Sequence, residues 1–325
     1  MSMHTRITVT GLLVCGLAAC GGGGGGDSTP GTITTVFPAL ALTSSNAEEV
    51  AGDVATVGSD TVGAGDIGTG IITGVVIDAA GRPALSEIAR WSLETVHGLR
   101  DQLIANVTGV VINEVVNCDS GTISVTWDDA DNDSEFSSGD TFSMTFNTCA
   151  LMGVTINGAL AMTGFTITGN PSTDIAWSMG ATFTYTALTM SDGVDSVRID
   201  GGMGFSIATL DSDDFEVEIS GSSLAYREGI YTTTLRNYSF SYTEEVSSGL
   251  FSLGYAGIID IGSLTGRVSF TTTTPFTGSD ILANWPTAGE LLISGDNSTV
   301  TLTALGGDSV RLSIDSNGDG GTDQT

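Results

Sequence analysis

The chain has 325 residues, of which 38 are acidic and nine are basic, and its formal net charge at pH 7 is −29. A charge of this sign repels phosphate backbones, which excludes nucleic-acid binding. Hydrophobic residues make up 40% of the chain, enough for a core, and a charged content of only 14% beside abundant Thr, Ser and Gly favours β-structure over helix.

The first twenty residues have the layout of an export signal. Arg6 precedes an apolar run over residues 9–19 that contains no acidic residue, and small side chains stand directly before Cys20. An apolar run this short cannot remain as a membrane-spanning anchor. The sequence LAAC at residues 17–20 resembles the lipobox of bacterial lipoproteins. This resemblance implies that residues 1–19 are removed as a signal peptide and that Cys20 carries covalent lipid.

A glycine-rich stretch follows this cysteine. Residues 21–26 are all glycine, which predicts a flexible tether because glycine has no side chain to pack. We interpret residues 20–82 as this tether followed by an irregular segment. The lipoprotein resemblance implies that the membrane is a partner through the lipid anchor. Glycine rather than the inner-membrane retention aspartate follows the cysteine, so for a Gram-negative host the resemblance implies the outer membrane, with the protein facing the periplasm or exposed at the surface.

Residues 82–105 are the only convincing helix that the sequence predicts after the signal. Pro83 suits a first helical turn. Apolar residues recur at helical spacing, at Leu85, Ile88, Ala89, Val96, Leu99 and Leu103. A single apolar stripe of this kind predicts that the helix covers one sheet.

From residue 107 onward the hydrophobic pattern has a period of two. About twelve alternating segments follow one another, separated by Gly, Asn, Asp and Ser turns. Short turns without another helix predict an antiparallel meander, and so wide an open sheet must curve because strand twist accumulates. We therefore predict for residues 83–325 a mainly β domain, a large curved sheet like a half-barrel with one helix on its inner face. It looks like the half-barrel of periplasmic lipoproteins that carry lipids; a β-sandwich is the alternative.

The sequence DDADNDSEFSSGD at residues 128–140 places six carboxylates between two predicted strands. Counted from Asp129, aspartates occupy positions one, three, five and twelve, and this spacing resembles the calcium loop of EF-hand and dockerin-like proteins. The resemblance implies that Ca²⁺ is coordinated by this loop, with ligand positions at Asp129, Asp131, Asp133, Glu135, Ser137 and Asp140. A solvated acidic loop without an ion is the alternative.

Two departures from the calcium-loop pattern predict weak binding. Ser134 stands where the family has a glycine for its sharp turn, and Asp140 replaces a longer glutamate that grips the ion with both oxygens. We expect a dissociation constant of about 10⁻⁴ to 10⁻³ M, the range of extracellular modules.

Two cysteines remain once Cys15 is assigned to the signal and Cys20 to the lipid. Cys118 and Cys149 flank the acidic segment, and an even pair in an oxidising compartment predicts a disulfide. If these two residues lie directly opposite each other, the register of the hairpin follows.

That register places Ile123 opposite Met144 and Val125 opposite Phe142. Both pairs are apolar and share one face of the hairpin. The two cysteines are then expected on the other face.

A shorter acidic motif near the C-terminus is a weaker metal candidate. Asp315, Asn317 and Asp319 repeat the opening of the same loop pattern. A frayed acidic tail is the alternative.

One alternating strand carries a candidate ligand-binding surface. The sequence LRNYSFSYTEE places Arg236, Tyr238 and Tyr242 on one face, where aromatic rings beside an arginine suit a sugar or an apolar ligand. The alternative is that this stripe belongs to the core.

No catalytic motif accompanies these features, so we assign no catalytic residue. The mature chain contains one histidine, His97, and lacks a nucleophile elbow and a zinc-protease signature. The pattern favours a lipid-anchored, non-catalytic envelope protein stabilised by calcium and a disulfide, acting as a structural or interaction module. Alternatives are a carrier of a lipid or other apolar ligand and a carbohydrate-binding or carbohydrate-active protein. The expected partner is an unidentified envelope protein, glycan or apolar ligand.

Overall fold

The computed structural model describes residues 36–62, 88–96, 111–133, 137–151, 153–171, 173–193, 196–211, 213–228, 230–279, 286–306 and 309–325. The predictions of a signal peptide, of a lipid on Cys20 and of a glycine tether lie outside these residues.

Thirteen strands in one sheet dominate the structure. Helix α1 is Ala47–Val62, and helix α2 covers residues 88–96. The strands are β1 Val111–Asn117, β2 Ser120–Asp128, β3 Thr141–Leu151, β4 Val154–Thr168, β5 Trp177–Ser191, β6 Ser196–Thr209, β7 Asp214–Glu228, β8 Tyr231–Glu245, β9 Leu250–Ile261, β10 Gly266–Ser279, β11 Ala288–Ser294, β12 Thr299–Gly306 and β13 Ser309–Asp315.

Each strand pairs antiparallel with the next, in sequence order from β1 to β13. The predicted curved meander is therefore confirmed. The alternative of a two-sheet sandwich is wrong, because all the described strands belong to one sheet.

Alternating side chains give the sheet one core face and one solvent face. In β3, Phe142, Met144 and Phe146 are buried, whereas Ser143 and Thr145 between them are exposed. Burying one such apolar side chain contributes about 1.5 to 3 kcal/mol. The same alternation continues along β5, β8 and β10, so the core face is continuous across the sheet.

Helix α1 was not predicted, and the irregular segment expected over residues 20–82 is helical at 47–62. Its start resembles a capping box, since the Thr43 N–H donates to Asn46 Oδ1 at 2.8 Å. Its buried residues are small and recur at helical spacing, at Ala47, Val50, Ala51, Val54 and Val57. The helix contacts β8, β9, β12 and β13.

Helix α2 confirms the predicted helix over its described part, while residues 82–87 and 97–105, with His97, lie outside the described residues. The Ser92 Oγ and the Tyr185 hydroxyl of β5 are 2.9 Å apart and hydrogen-bonded. The rings of Trp91 and Phe146 of β3 lie with centroids 6.3 Å apart. The two helices therefore cover different parts of the core face, α2 over β3 and β5 and α1 over β8, β9, β12 and β13.

The meander places its turns alternately on two rims. We call the turns that follow even-numbered strands the distal rim, and those that follow odd-numbered strands, with the chain end after β13, the basal rim. The chain reaches the sheet at the basal rim, where Ala39 bridges Arg267 at the start of β10. The Leu42 N–H then donates to Ser298 Oγ at 2.7 Å in the β11–β12 turn. The acidic loop at residues 129–140 lies on the opposite, distal rim.

Within the described part of the chain, neither helix has the length and apolar content needed to cross a bilayer.

Candidate metal site

The hairpin that carries the acidic loop is closed at its base by the predicted disulfide. Cys118 and Cys149 are bonded with a Cα–Cα distance of 5.4 Å. The disulfide prediction is therefore confirmed, and the bond joins the β1–β2 turn to the basal end of β3.

The predicted register of this hairpin is wrong by two residues. Val125 lies opposite Met144 rather than Phe142, and Ile123 lies opposite Phe146 rather than Met144. The cause is an irregularity between the cysteines and the paired region, where Gly121 has a φ of 73°. A Cβ at this glycine would lie 2.2 Å from the Thr148 carbonyl oxygen, so only glycine fits.

The prediction that the cysteines lie on the face opposite the apolar pairs is also wrong. Cys149 is 0% exposed and belongs to the core cluster that includes Phe146. The β3–β4 register shifts between Phe146 and Cys149, and Thr148 between them has a φ of 49°. A bulge of this kind moves the alternation by one residue, so the disulfide packs against the core instead of facing solvent.

Three of the predicted ligands come together at the distal tip. One carboxylate oxygen from each of Asp129, Asp131 and Asp133 lies within 4.8 Å of the others. Oxygens bound to one Ca²⁺ at about 2.3 to 2.6 Å lie no more than roughly 5 Å apart, so this spacing fits one ion. Asp131 and Asp133 are exposed, whereas Asp129 is only 1% exposed.

Asp129 also shapes the loop. Its Oδ1 accepts hydrogen bonds from the backbone N–H groups of Asn132 at 2.7 Å and Asp133 at 3.3 Å. Asn132 has a φ of 61°, so the left-handed turn falls here, two residues before Ser134. Ser134 and Glu135 lie outside the described residues. Asn is one of the few residues that adopts this conformation readily, which gives the loop a turn without the family's glycine.

Asp140 does not join the three clustered carboxylates. It is 0% exposed, and its Oδ1 accepts from the Ala130 N–H at 3.0 Å. Its Oδ2 accepts from the Ser137 N–H at 3.0 Å and from Trp127 Nε1 at 3.3 Å. The residue expected to complete the ion site at position twelve therefore closes the base of the loop through protein donors.

Ser137 does lie beside the cluster, because its Oγ donates to Asp131 Oδ2 at 3.1 Å. The loop is also attached to β4, since the Gly139 N–H donates to the Phe165 carbonyl at 2.9 Å and Ser138 Oγ accepts from the Ile167 N–H at 2.8 Å. The tip is therefore held in place by its own strands and by the neighbouring one.

The C-terminal motif forms an ordered loop rather than a frayed tail. Asp315 accepts backbone hydrogen bonds from Gly318 at 2.7 Å and Gly320 at 2.8 Å. Burial raises the pKa of Asp315, but these N–H donors outweigh it and hold the pKa below its usual range. Asn317 Oδ1 accepts from the Asp319 N–H at 2.9 Å. Asp319 Oδ1 in turn accepts from the Gly321 N–H at 2.7 Å, so backbone donors already occupy oxygens on all three predicted ligands.

The predicted ligand surface on β8 does not form. Tyr238 and Tyr242 are both in the core, with the Tyr238 hydroxyl donating to the Gly202 carbonyl at 3.0 Å. Asn237 has a φ of 44°, and the β8–β9 register shifts between Arg236 and Ser239. This bulge separates Arg236 from the aromatic face, so the stripe is core packing.

Arg236 belongs instead to a buried ionic cluster that the sequence did not predict. Asp260 on β9 is 0% exposed and accepts from Arg236 Nε at 2.8 Å and from Arg267 Nε at 2.8 Å. The Phe37 N–H also donates to its Oδ1 at 3.2 Å. Burial raises the pKa of Asp260, but the donors from Arg267 and Arg236 outweigh it and lower the pKa below its usual range. The cluster therefore links the segment that precedes α1 to β8, β9 and β10.

No family model, curated protein or solved structure matches this chain. Its class is therefore defined by the structure alone: over the residues that the structure describes, an antiparallel meander sheet carries two helices on its core face and a disulfide-closed acidic hairpin at one rim.

Proposed function

We propose that this protein is a non-catalytic module of the cell envelope, anchored by lipid on Cys20 and stabilised at its distal rim by Ca²⁺. The observation that carries the calcium proposal is the close group of Asp129, Asp131 and Asp133 on a hairpin closed by a disulfide. Like charges this close repel one another unless a cation offsets them. Three carboxylates and the adjacent Ser137 hydroxyl are the hard oxygen ligands that Ca²⁺ prefers.

A stabilising role suits this geometry better than a switching role. The loop connects two strands of a continuous sheet and is attached to a third, so ion binding has no helix pair to open. Ca²⁺ would instead hold the distal tip while the disulfide holds the basal end.

The packing of α2 supports a structural module over a lipid carrier. Ile88, Ala89 and Val96 are buried against the core face, and Ser92 is hydrogen-bonded to Tyr185. A carrier would need an open apolar space beneath this helix, whereas its described apolar residues belong to the same buried core cluster as the side chains of β3 and β5.

Calorimetric titration of Ca²⁺ into the full chain, purified in detergent, tests the ion site. We expect one site with a dissociation constant of about 10⁻⁴ to 10⁻³ M. Asp131→Asn should weaken it, because this exposed carboxylate loses its charge without loss of shape, whereas Asp119→Asn, an exposed acid on the basal rim, should not. Equal binding by the two variants would contradict the assignment.

Mass spectrometry of the mature protein tests the anchor separately. We expect a mass that begins at Cys20 and carries acyl chains, and release from the membrane when Cys20→Ala is made. An unmodified Cys20 would contradict the anchor and leave the calcium site untouched.

A further inference from the structure

Charge is distributed unevenly along the central strands of the sheet. The arginines of β6 to β10 all lie toward the basal ends of their strands, at Arg198, Arg227, Arg236 and Arg267. The distal ends of β7 and β8 carry carboxylates, at Asp214, Glu216, Glu244 and Glu245. The distal rim of these strands therefore presents negative charge, and a partner that reaches it must be cationic.

A cleft of about 400 Å³ lies at this acidic end of β7, β8 and β9. Its lining includes the carboxylates of Asp214, Glu216 and Glu245 together with the apolar side chains of Leu210 and Leu250. None of these three carboxylates forms an ion pair with a residue that the structure describes. The cleft thus combines uncompensated negative charge with apolar surface.

The cross-strand register makes this arrangement costly in the free protein. Asp214 lies directly opposite Glu245 in the β7–β8 ladder, and Glu216 is two residues further along the same face. Like charges directly opposite each other destabilise a sheet. A positively charged side chain placed between them would remove this repulsion.

Exposed apolar residues extend this surface to neighbouring distal turns. Leu210 is 61% exposed and Leu250 is 53% exposed, although both are large aliphatic residues. Ile175 beside Asp174 and Val246 beside Glu245 are exposed in the same way. Acidic and apolar side chains therefore alternate along three distal turns, which is the complement of a segment that is both basic and apolar.

We propose that this cleft is a docking site for a basic, amphipathic peptide segment of an envelope partner. An arginine or lysine side chain lies among Asp214, Glu216 and Glu245, and a neighbouring apolar side chain packs on Leu210 and Leu250. The inference gives a partner chemistry to the interaction role proposed above. It rests on that role but not on calcium or on the lipid anchor.

Charge excludes two other occupants of the cleft. A second copy of this chain carries the same net charge of −29 and would bring carboxylates toward carboxylates. An anionic lipid surface is repelled for the same reason. The distal position also points away from the basal rim, where the chain arrives from the proposed anchor.

Binding of a synthetic peptide of alternating arginine and leucine tests the proposal. The full chain is placed in phosphatidylcholine nanodiscs, with empty nanodiscs as the blank, and the peptide's fluorescence anisotropy is measured. We expect the triple variant Asp214→Asn, Glu216→Gln, Glu245→Gln to bind the peptide about tenfold more weakly. A matched triple variant of exposed acids outside the cleft, Glu114→Gln, Asp119→Asn and Asp296→Asn, should change the affinity by less than about twofold.

Three results would overturn the docking site. Equal loss of affinity in the two triple variants would show that the peptide binds to the overall charge of the protein. Equal affinity for a peptide with glutamine in place of arginine would show that only the apolar surface binds the peptide. Absence of peptide binding by the unaltered chain would exclude the site altogether.

The cleft variant should unfold at the same temperature as the unaltered chain or a higher one, because the opposed carboxylates are removed. A loss of binding is then not caused by a loss of folding. The same titration in chelator should be unchanged, which separates this site from the calcium site.

Discussion

Asp260 and Arg267 are direct cross-strand partners whose side chains form two hydrogen bonds, Nε to Oδ1 at 2.8 Å and Nη2 to Oδ2 at 2.9 Å. The carboxylate is fully buried, and Arg236 supplies a third donor. The N–H of Phe37 completes the cluster at the point where the chain crosses the basal rim. Asp260 therefore attaches the N-terminal segment to the sheet alongside the Ala39–Arg267 bridge and the hydrogen bond between Leu42 and Ser298.

Asp260→Asn should destabilise the fold by about 3 kcal/mol, because it leaves two arginines without their buried partner. Urea denaturation of the full chain would measure this loss. Asp296→Asn, an exposed acid on the same rim, is the control and should change the free energy of unfolding by less than about 0.5 kcal/mol. Similar losses in both variants would mean that Asp260 acts only through general charge.

The contribution of Asp260 should disappear in acid. Its pKa is lower in the folded protein than in the unfolded chain, so the stabilisation is complete above the unfolded value of about 3.9 and is lost as pH falls through the folded value. The stability difference between the unaltered chain and Asp260→Asn should therefore be constant near neutral pH and shrink below about pH 4. A difference that grows in acid would contradict the lowered pKa.

Two glycines of α1 should respond to alanine in opposite directions. A Cβ at Gly58 would lie 2.5 Å from the ring of Tyr255, so Gly58→Ala overpacks the helix–sheet interface and should cost about 1 to 3 kcal/mol. A Cβ at Gly52 meets nothing within 4 Å, so Gly52→Ala should stabilise the helix by about 0.5 to 1 kcal/mol. Thermal unfolding of both variants would measure this difference. Equal shifts of the same sign would contradict the close packing of α1 on β9.

Loss of the disulfide should weaken the hairpin and the whole sheet. The bond spans 31 residues, and removing a closure of that length costs about 3 to 4 kcal/mol in the chain-entropy estimate. We expect this loss in urea denaturation with reductant and in the Cys118→Ala, Cys149→Ala double variant. Reductant should have no further effect on the double variant. If it did, another thiol or disulfide would be responsible.

The sequence predicted the type and order of the elements well because alternation is a local signal. Strands such as β3 carry aromatic and methionine residues at every second position, and short turns connect neighbours. Helix α1 escaped prediction because its buried residues are alanine and valine within a glycine-rich stretch. Thr43 and Asn46, which form a capping arrangement in the structure, are the sequence signal that could have indicated its start.

Register and long-range contacts could not be predicted, because they depend on bulges. Irregularities at Gly121 and Thr148 shift the register of the disulfide-closed hairpin. The bulge at Asn237 separates Arg236 from the aromatic face of β8. Only the assembled register brings Asp260 beside its arginines. In the acidic loop, spacing predicted the grouping of the three aspartates, but the role of Asp140 depends on N–H donors that the loop presents only when folded.

Thermal unfolding of the full chain with millimolar Ca²⁺ and with chelator is the most direct test of the calcium-stabilised hairpin. About 10 mM Ca²⁺ is about 10 to 100 times the expected dissociation constant and should stabilise the fold by about 1.4 to 2.7 kcal/mol, a rise of roughly 3 to 8 °C in Tm. We expect this rise in the unaltered chain and in Asp119→Asn, and its loss in Asp131→Asn. A Tm that does not depend on Ca²⁺, or a rise that persists in Asp131→Asn, would contradict an ion at this loop.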